Sequence, residues 1–246
     1  MLGIIDWGIG GISVYKLLKE RLGDVPVVYF SDTGVTPYGK MAKAELATRL
    51  DAVIEYLISR GATSIAIGCN AASTAIGDLA DHGIAVEGVI QPAVELTARL
   101  KPKRLGLIGG RRTVVSGVYR EAFAKRSIAV KQRIAQPLSA LIESGDISSE
   151  HLRAAAKQII GPLRNCSHIL LACTHYPAIT HVLRELVSPT TEFIDPAAEL
   201  VRRVEKLNIN GSAEDIFLTT GDAAAMKTAA LKAFGVSIPR VERVTI

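Results

Sequence analysis

The sequence is poor in the features that mark several large classes of protein. Aromatic residues make up only 5% of it, with five Phe, six Tyr and one Trp. They are not interleaved with the basic residues, so no stacking platform for nucleic-acid bases is built in. No run of about 18 uncharged apolar residues occurs, which excludes a membrane-spanning helix. Three cysteines are present, too few for the disulfide framework of a small secreted protein. The opening Met1-Leu2-Gly3-Ile4-Ile5-Asp6 has no basic stretch and reaches an acid early, unlike a signal peptide. No low-complexity segment or linker interrupts the chain. These absences predict a cytoplasmic protein with neither a membrane nor a nucleic acid as partner.

What remains is the composition of a globular protein of 246 residues, 48% hydrophobic, with 21 glycines. That length suffices for one large domain or two ordinary ones, each with a core. The net charge of +5 is scattered, with short clusters only at Lys101-Lys103-Arg104, Arg111-Arg112 and Arg202-Arg203. A solvated, mildly basic surface follows, weakly attractive to an anionic small molecule.

Short β-branched apolar runs alternate with longer helical patterns. Strands are predicted at Gly3–Ile5, Val27–Phe30, Ser64–Gly68, Val86–Val89, Leu105–Ile108, Ile128–Arg133, His168–Ala172, Glu192–Ile194 and Asp215–Thr219. Helices are predicted at Val14–Arg21, Lys43–Arg60, Ala93–Arg99, Val115–Arg126, His151–Leu163, Ile179–Val187 and Ala223–Phe234. Near-continuous apolar strands in such alternation imply an α/β protein with buried, mainly parallel sheets.

The chain also repeats itself weakly. Gly3-Ile4-Ile5-Asp6 and Gly106-Leu107-Ile108-Gly109 each open a strand followed by a helix. From Gly3 to Cys69 is 66 positions, and from Gly106 to Cys173 is 67. Each cysteine directly follows an apolar strand, where open α/β sheets bind ligands. Two similar α/β domains are predicted, residues 1–94 with 208–246 and residues 95–207, pseudo-twofold related and carrying the active site in the cleft between them. A cysteine behind a strand is also a common core residue, so the spacing alone leaves both readings open.

The motifs themselves narrow the choice. Asp6-Trp7-Gly8-Ile9-Gly10-Gly11 resembles the D-S-G-x-G-G opening of the glutamate racemase family, within the wider aspartate/glutamate racemase group. Asp32-Thr33 with Pro37-Tyr38-Gly39 resembles its D-T…P-Y-G loop. Cys69-Asn70 and Cys173-Thr174-His175-Tyr176-Pro177 are similar to its C-N-T-A and C-T-H-Y-P segments, and Thr219-Thr220-Gly221-Asp222 to its closing T-T-G-D. Segment Pro137-Leu138 through Glu143 and Gly145 is similar to its P-L-x-x-x-x-E-x-G. The resemblance runs almost end to end.

It implies a racemase that interconverts L- and D-glutamate without pyridoxal phosphate or any other cofactor, and without a metal. Inverting a stereocentre requires one group to remove the α-proton from one face and another to deliver a proton to the opposite face. Two thiols, whose ordinary pKa is about 8.5, can exchange those roles. By resemblance, Cys69 and Cys173 are the catalytic pair, Cys69 handling the D-isomer and Cys173 the L-isomer. Asp6 would assist Cys69, while His175 and Glu143 would assist Cys173. Substrate contacts would come from Asp6, Trp7, Tyr38, Gly39, Asn70, Ala71, Thr174 and His175. Backbone N–H groups of the Gly8–Gly11 loop, Tyr38-Gly39 and Asn70 are expected to receive the substrate's carboxylates. The family further implies a homodimer and a product, D-glutamate, destined for peptidoglycan of the cell wall.

Of three competing chemistries, two fail on the residues and the third, a hydrolase, ranks low. The glycine loop breaks the G-x-G-x-x-G dinucleotide pattern at Ser13. A zinc site at Cys166, His168, Cys173 and His175 would have to span seven strand residues, roughly 23 Å at ~3.3 Å each. Ligands with bonds near ~2.3 Å cannot do that. A Cys-His hydrolase on Cys173 and His175 would leave Cys69 and the first half without a role.

Two positions depart from the family. Trp7 stands where it has a small hydroxyl residue, normally serine, and Ala71 where it has threonine. Two hydrogen bonds of roughly 0.5–1.5 kcal/mol each are thereby removed, and the indole must fill part of the pocket or turn away from it. Three readings remain open at this point: a glutamate racemase, a racemase for another amino acid, or a catalytically silent amino-acid-binding homologue. The retained acid/base set argues against the last.

Overall fold

The computed structural model describes residues 1–207, 209, 211 and 213–246. In chain order the elements are β1 (Leu2–Asp6), α1 (Ile12–Leu22), β2 (Val27–Ser31), α2 (Lys43–Ser59), β3 (Ser64–Ile67), α3 (Asn70–Ser73), β4 (Ala85–Gly88) and α4 (Ile90–Leu100). Then come β5 (Leu105–Gly109), α5 (Arg111–Val115), α6 (Val118–Ala124), β6 (Val130–Ile134), α7 (Gln136–Glu143), α8 (Glu150–Ile160), β7 (His168–Ala172) and α9 (Thr180–Arg184). The last are β8 (Glu192–Ile194), α10 (Pro196–Glu205), β9 (Ile216–Thr219), α11 (Ala223–Phe234) and β10 (Glu242–Arg243).

Two wholly parallel sheets result, a six-stranded one in the order β10-β9-β2-β1-β3-β4 and a four-stranded one in the order β6-β5-β7-β8. The α/β fold with parallel sheets expected from the sequence is thus present. The repeat reaches down to register. Leu2 pairs with Val27 and Ser64, while Leu105 pairs with Val130 and His168. Gly3 faces Ile65, four residues before Cys69, and Gly106 faces Ile169, four residues before Cys173. The matched spacing therefore puts the two cysteines at equivalent places behind equivalent strands.

Strands β1, β2 and β5 are buried along their whole length, which explains their apolar continuity where alternation would otherwise be expected. One apolar core spans both halves. It contains Leu2, Ile4, Ile12 and Tyr29 from the first sheet's surroundings and Ile108, Leu138, Ile169 and Leu200 from the second's. Helix α1 packs on α10 and α11 packs on α7, so the halves share a hydrophobic seam. The expected boundary at 94/95 falls inside α4, the connector between the sheets. The boundary at 208 lies outside the described residues.

The helix expected over Val115–Arg126 is α6, which starts only at Val118, while Val115 ends the preceding short helix α5. Gly117 adopts φ +76 between them, a left-handed conformation that breaks the helical ladder and suits glycine. Helix α10 was missed. Its start is nonetheless marked by Asp195, whose side chain accepts from the Ala197 amide, followed by Pro196. The two-residue β10 is too short to leave a periodic signal.

Candidate active site

The family-like motifs gather at the carboxyl ends of the parallel strands. Asp6 ends β1, Asp32 follows β2, Cys69 lies just beyond β3 and Thr219 ends β9. In the four-stranded sheet Cys173 follows β7, and Glu143 closes α7. Cys166 and His168 sit at the opposite end of β7, where Cys166 is buried in the core against Gly106.

Asp6 is almost fully buried, and its Oδ2 accepts from the Gly8 and Gly11 amides at 3.2 and 3.1 Å. Burial pushes this carboxyl up, partly offset by the pull of His175. Beside it, Cys69 is 8% exposed. Burial, reinforced by the neighbouring Asp6, drives its thiol well above the ordinary cysteine range. The pair therefore favours a protonated thiol with a poorly solvated carboxylate next to it.

Cys173 in turn belongs to a hydrogen-bonded relay of side chains. Cys173 Sγ is 3.5 Å from His175 Nδ1, and His175 Nε2 is 2.6 Å from Glu143 Oε2. Burial alone would lower the imidazole pKa, but Cys173 and Glu143 together outweigh it and raise it well above the usual value. Glu143 also accepts from the Ile9 amide at 3.0 Å. The glycine loop makes this approach feasible. A Cβ at Gly8 would overlap the Glu143 carboxylate, and one at Gly10 would fall 2.5 Å from His175 Nδ1 and 2.6 Å from Thr174 Oγ1. The loop thus differs from the expectation that its amides await substrate: those of Gly8, Ile9 and Gly11 hold Asp6 and Glu143 instead.

The remaining residues singled out in the sequence divide. Asn70 is buried beside Cys69, and its Nδ2 has no partner among the described residues. Thr174 is buried at the seam with Gly10. Tyr38 is buried with its hydroxyl donating to Asp32 Oδ2 at 2.8 Å. Asp32 also takes a two-pronged bond from Arg49, at 2.8 and 2.7 Å, and a third from Thr220 at 2.9 Å. The T-T-G-D segment accordingly serves as scaffold, with Asp222 capping α11. Trp7 is half-buried against the first-half core, its indole N–H donating to the Val35 carbonyl at 3.2 Å. Ala71 packs on the same cluster.

Gly39 lines a groove of about 640 Å³ together with Met41 and Thr74 from the first half and Arg112, Val115 and Ser116 from the second. Neither cysteine contributes to its walls. Two residues that bridge the halves escaped the sequence reading. Arg112, read there as part of a surface cluster, reaches across to Thr74 Oγ1 at 2.8 Å and the Met41 carbonyl at 2.6 Å. Tyr119, on α6, donates to Asn70 Oδ1 at 2.7 Å. Neither carries a local sequence signal, because both act on the opposite half.

Residues 2–204 match the family model described as Asp/Glu/hydantoin racemase. A glutamate racemase of Synechococcus sp. is 34% identical over 212 residues, covering 83% of this chain and 78% of the relative. A glutamate racemase of Corynebacterium diphtheriae is 31% identical over 256 residues, covering 98% and 97%. The crystal structure of glutamate racemase from Francisella tularensis in complex with D-glutamate superposes with a TM-score of 0.88 at 24% identity, covering 99% of this chain and 97% of that one. Among the described residues no helix is long and apolar enough to cross a membrane.

Proposed function

The chain belongs to the Asp/Glu/hydantoin racemase family, and from that premise we propose that it interconverts L- and D-glutamate through Cys69 and Cys173. The observation that carries this reading is the pair of differently supported thiols behind equivalent strands, one beside Asp6 and one beside His175 and Glu143. A binding module has no use for such an arrangement.

The chemistry runs as follows. From L-glutamate, a thiolate at Cys173 takes the α-proton, the C–H bond breaks and an S–H bond forms. The protonated imidazole of His175 stands 3.5 Å from that sulfur and balances its charge before transfer. Charge left on the substrate spreads into its carboxylate, where oriented N–H donors such as Asn70 Nδ2 stabilise it. The Cys69 thiol, kept protonated by burial, then delivers its proton to the opposite face and D-glutamate results. In reverse, the Cys69 proton passes to the Asp6 carboxylate, whose own pKa is raised by burial, and the resulting thiolate takes the α-proton of D-glutamate. Catalysis by each positioned acid or base is worth about 10²–10⁴-fold.

Glutamate is favoured over another amino acid because Trp7 is tied back to the Val35 carbonyl and the curated relatives cited are glutamate racemases. A homodimer, a cytoplasmic location and a supply of D-glutamate to peptidoglycan belong to the same proposal. The test is α-proton exchange in D2O, followed by NMR, over amino acids of both configurations. Exchange with both glutamate isomers is expected. Exchange only with another amino acid would overturn the substrate, and none at all would overturn the activity.

A further inference from the structure

Asn70 follows Cys69 directly and opens α3. Its side-chain amide is nearly sealed from solvent, yet its two ends are treated differently. Oδ1 accepts from Tyr119 Oη at 2.7 Å, whereas Nδ2 is buried with no hydrogen-bond partner among the described residues. A buried donor left without an acceptor is costly, and such a group beside a reactive thiol awaits a ligand acceptor.

An asparagine amide can turn over, exchanging its oxygen and nitrogen. Something must therefore hold this one with the nitrogen on the ligand side. Tyr119 is 1% exposed, its ring stacked on Phe123 with centroids 6.0 Å apart. Burial, reinforced by nearby Cys173, keeps its phenol protonated far into the alkaline range. The hydroxyl thus always carries a hydrogen, and among the described residues Asn70 Oδ1 is its acceptor. Turning the amide over would strand that hydrogen and aim a carbonyl oxygen at a carboxylate substrate, repelling it.

We propose that Tyr119 is a positioning residue: its hydroxyl locks the Asn70 amide so that Nδ2 is presented to a carboxylate of the bound amino acid. Because Tyr119 belongs to α6 of the second half and Asn70 to α3 of the first, the donor is set only when the halves are docked. The Cys69-bearing turn is held by the same bond.

The inference rests on the glutamate reading, and a double-mutant cycle on the full chain separates the two. Kinetics with L- and D-glutamate are measured for wild type, Tyr119→Phe, Asn70→Ala and the double variant. Phenylalanine keeps the stacked ring and removes only the hydroxyl. Tyr119→Phe is expected to raise KM about tenfold, with a smaller change in kcat, consistent with loss of one substrate hydrogen bond. In the Asn70→Ala background the same change should cost nothing more. An equal factor in both backgrounds, or no effect in either, overturns the proposal while leaving the racemase standing. A wild-type enzyme that does not turn over glutamate overturns both. Should Tyr119→Phe fail to fold, ¹H–¹⁵N spectra of the wild type decide. The Asn70 side-chain NH2 signals must move when D-glutamate is added, and signals that stay in place overturn the assignment.

Discussion

Gly8 leaves no room for a methyl group, because a Cβ there would overlap the carboxylate of Glu143, which reaches it from the other half of the molecule. The glycine is thus required by the relay, since Glu143 must reach both the Ile9 amide at 3.0 Å and His175 at 2.6 Å. Gly8→Ala should displace the flexible Glu143 side chain and leave the fold intact. Racemisation should fall by about 10–100-fold, a fraction of what a positioned acid or base supplies. Because the two enantiomers are equally stable in solution, kcat/KM must fall by the same factor in both directions. Wild-type activity with Glu143 still on His175 would disprove the steric argument.

The two-thiol mechanism makes a stereochemical prediction. Cys69→Ser and Cys173→Ser should each lose racemisation by about 10³-fold, within the range for a lost general acid or base. Residual α-proton exchange in D2O should become one-sided. With Cys173 intact it is confined to L-glutamate, and with Cys69 intact to D-glutamate. Unchanged turnover in either variant would rule out that thiol as an acid/base group.

The relay also fixes a pH dependence. Burial works against a protonated His175, but Cys173 and Glu143 prevail and raise its pKa well above 6.5. The imidazolium–carboxylate pair is therefore intact below the unfolded value of about 6.5 and is lost as pH rises through the higher folded value. Glu143→Gln removes one of the raising charges. The alkaline limb of kcat/KM should move to lower pH, and the His175 ring protons should titrate with it by NMR. A limb that stays or moves upward would mean that Glu143 does not act through the imidazole.

Much of this was legible in the chain because it is local. The apolar runs gave the strands, and the matched 66- and 67-residue spacings reflect equal registers about β1 and β5. The residues proposed as the acid/base set were legible only through motif resemblance, since Asp6 and Glu143 taken singly look like turn and helix-surface residues. What stayed hidden depends on how the halves dock. Nothing near Tyr119 announces Asn70, and nothing near Gly8 announces Glu143, at sequence separations of 49 and 135. The glycine loop misled for the same reason only in part: Glu143 of the second half takes the Ile9 amide, whereas nearby Asp6 takes those of Gly8 and Gly11.

Trp7 departs from the small residue of the family's motif, and its placement yields a prediction. Its indole is half-buried on the first-half core and bonded to the Val35 carbonyl. Trp7→Phe keeps the apolar contact and loses that bond. Stability should drop by about 1 kcal/mol, read from urea unfolding, while glutamate turnover stays within about threefold. A large gain or loss in KM would show instead that the indole borders the substrate.

The Asp32 cluster is where a single substitution should cost the most stability. The carboxylate is fully buried and Arg49 is mostly so, with side-chain exposures of 0% and 16%. Tyr38 and Thr220 complete its bonds, and Arg49 also donates to the Ile246 carbonyl at 2.9 Å. Such a pair contributes little net stability compared with an apolar pair of the same shape. Removing one partner, however, strands the other charge at a cost of about 3–5 kcal/mol. Arg49→Met should therefore destabilise strongly in urea, and Arg49→Lys by less, since a lysine keeps the charge but cannot reproduce the two-pronged geometry. Adding Asp32→Asn to Arg49→Met should recover part of the loss, because the stranded charge is then gone. If the double variant were less stable than Arg49→Met alone, burial of an unpaired carboxylate would not be the cause, and the cluster's contribution would lie in its packing instead.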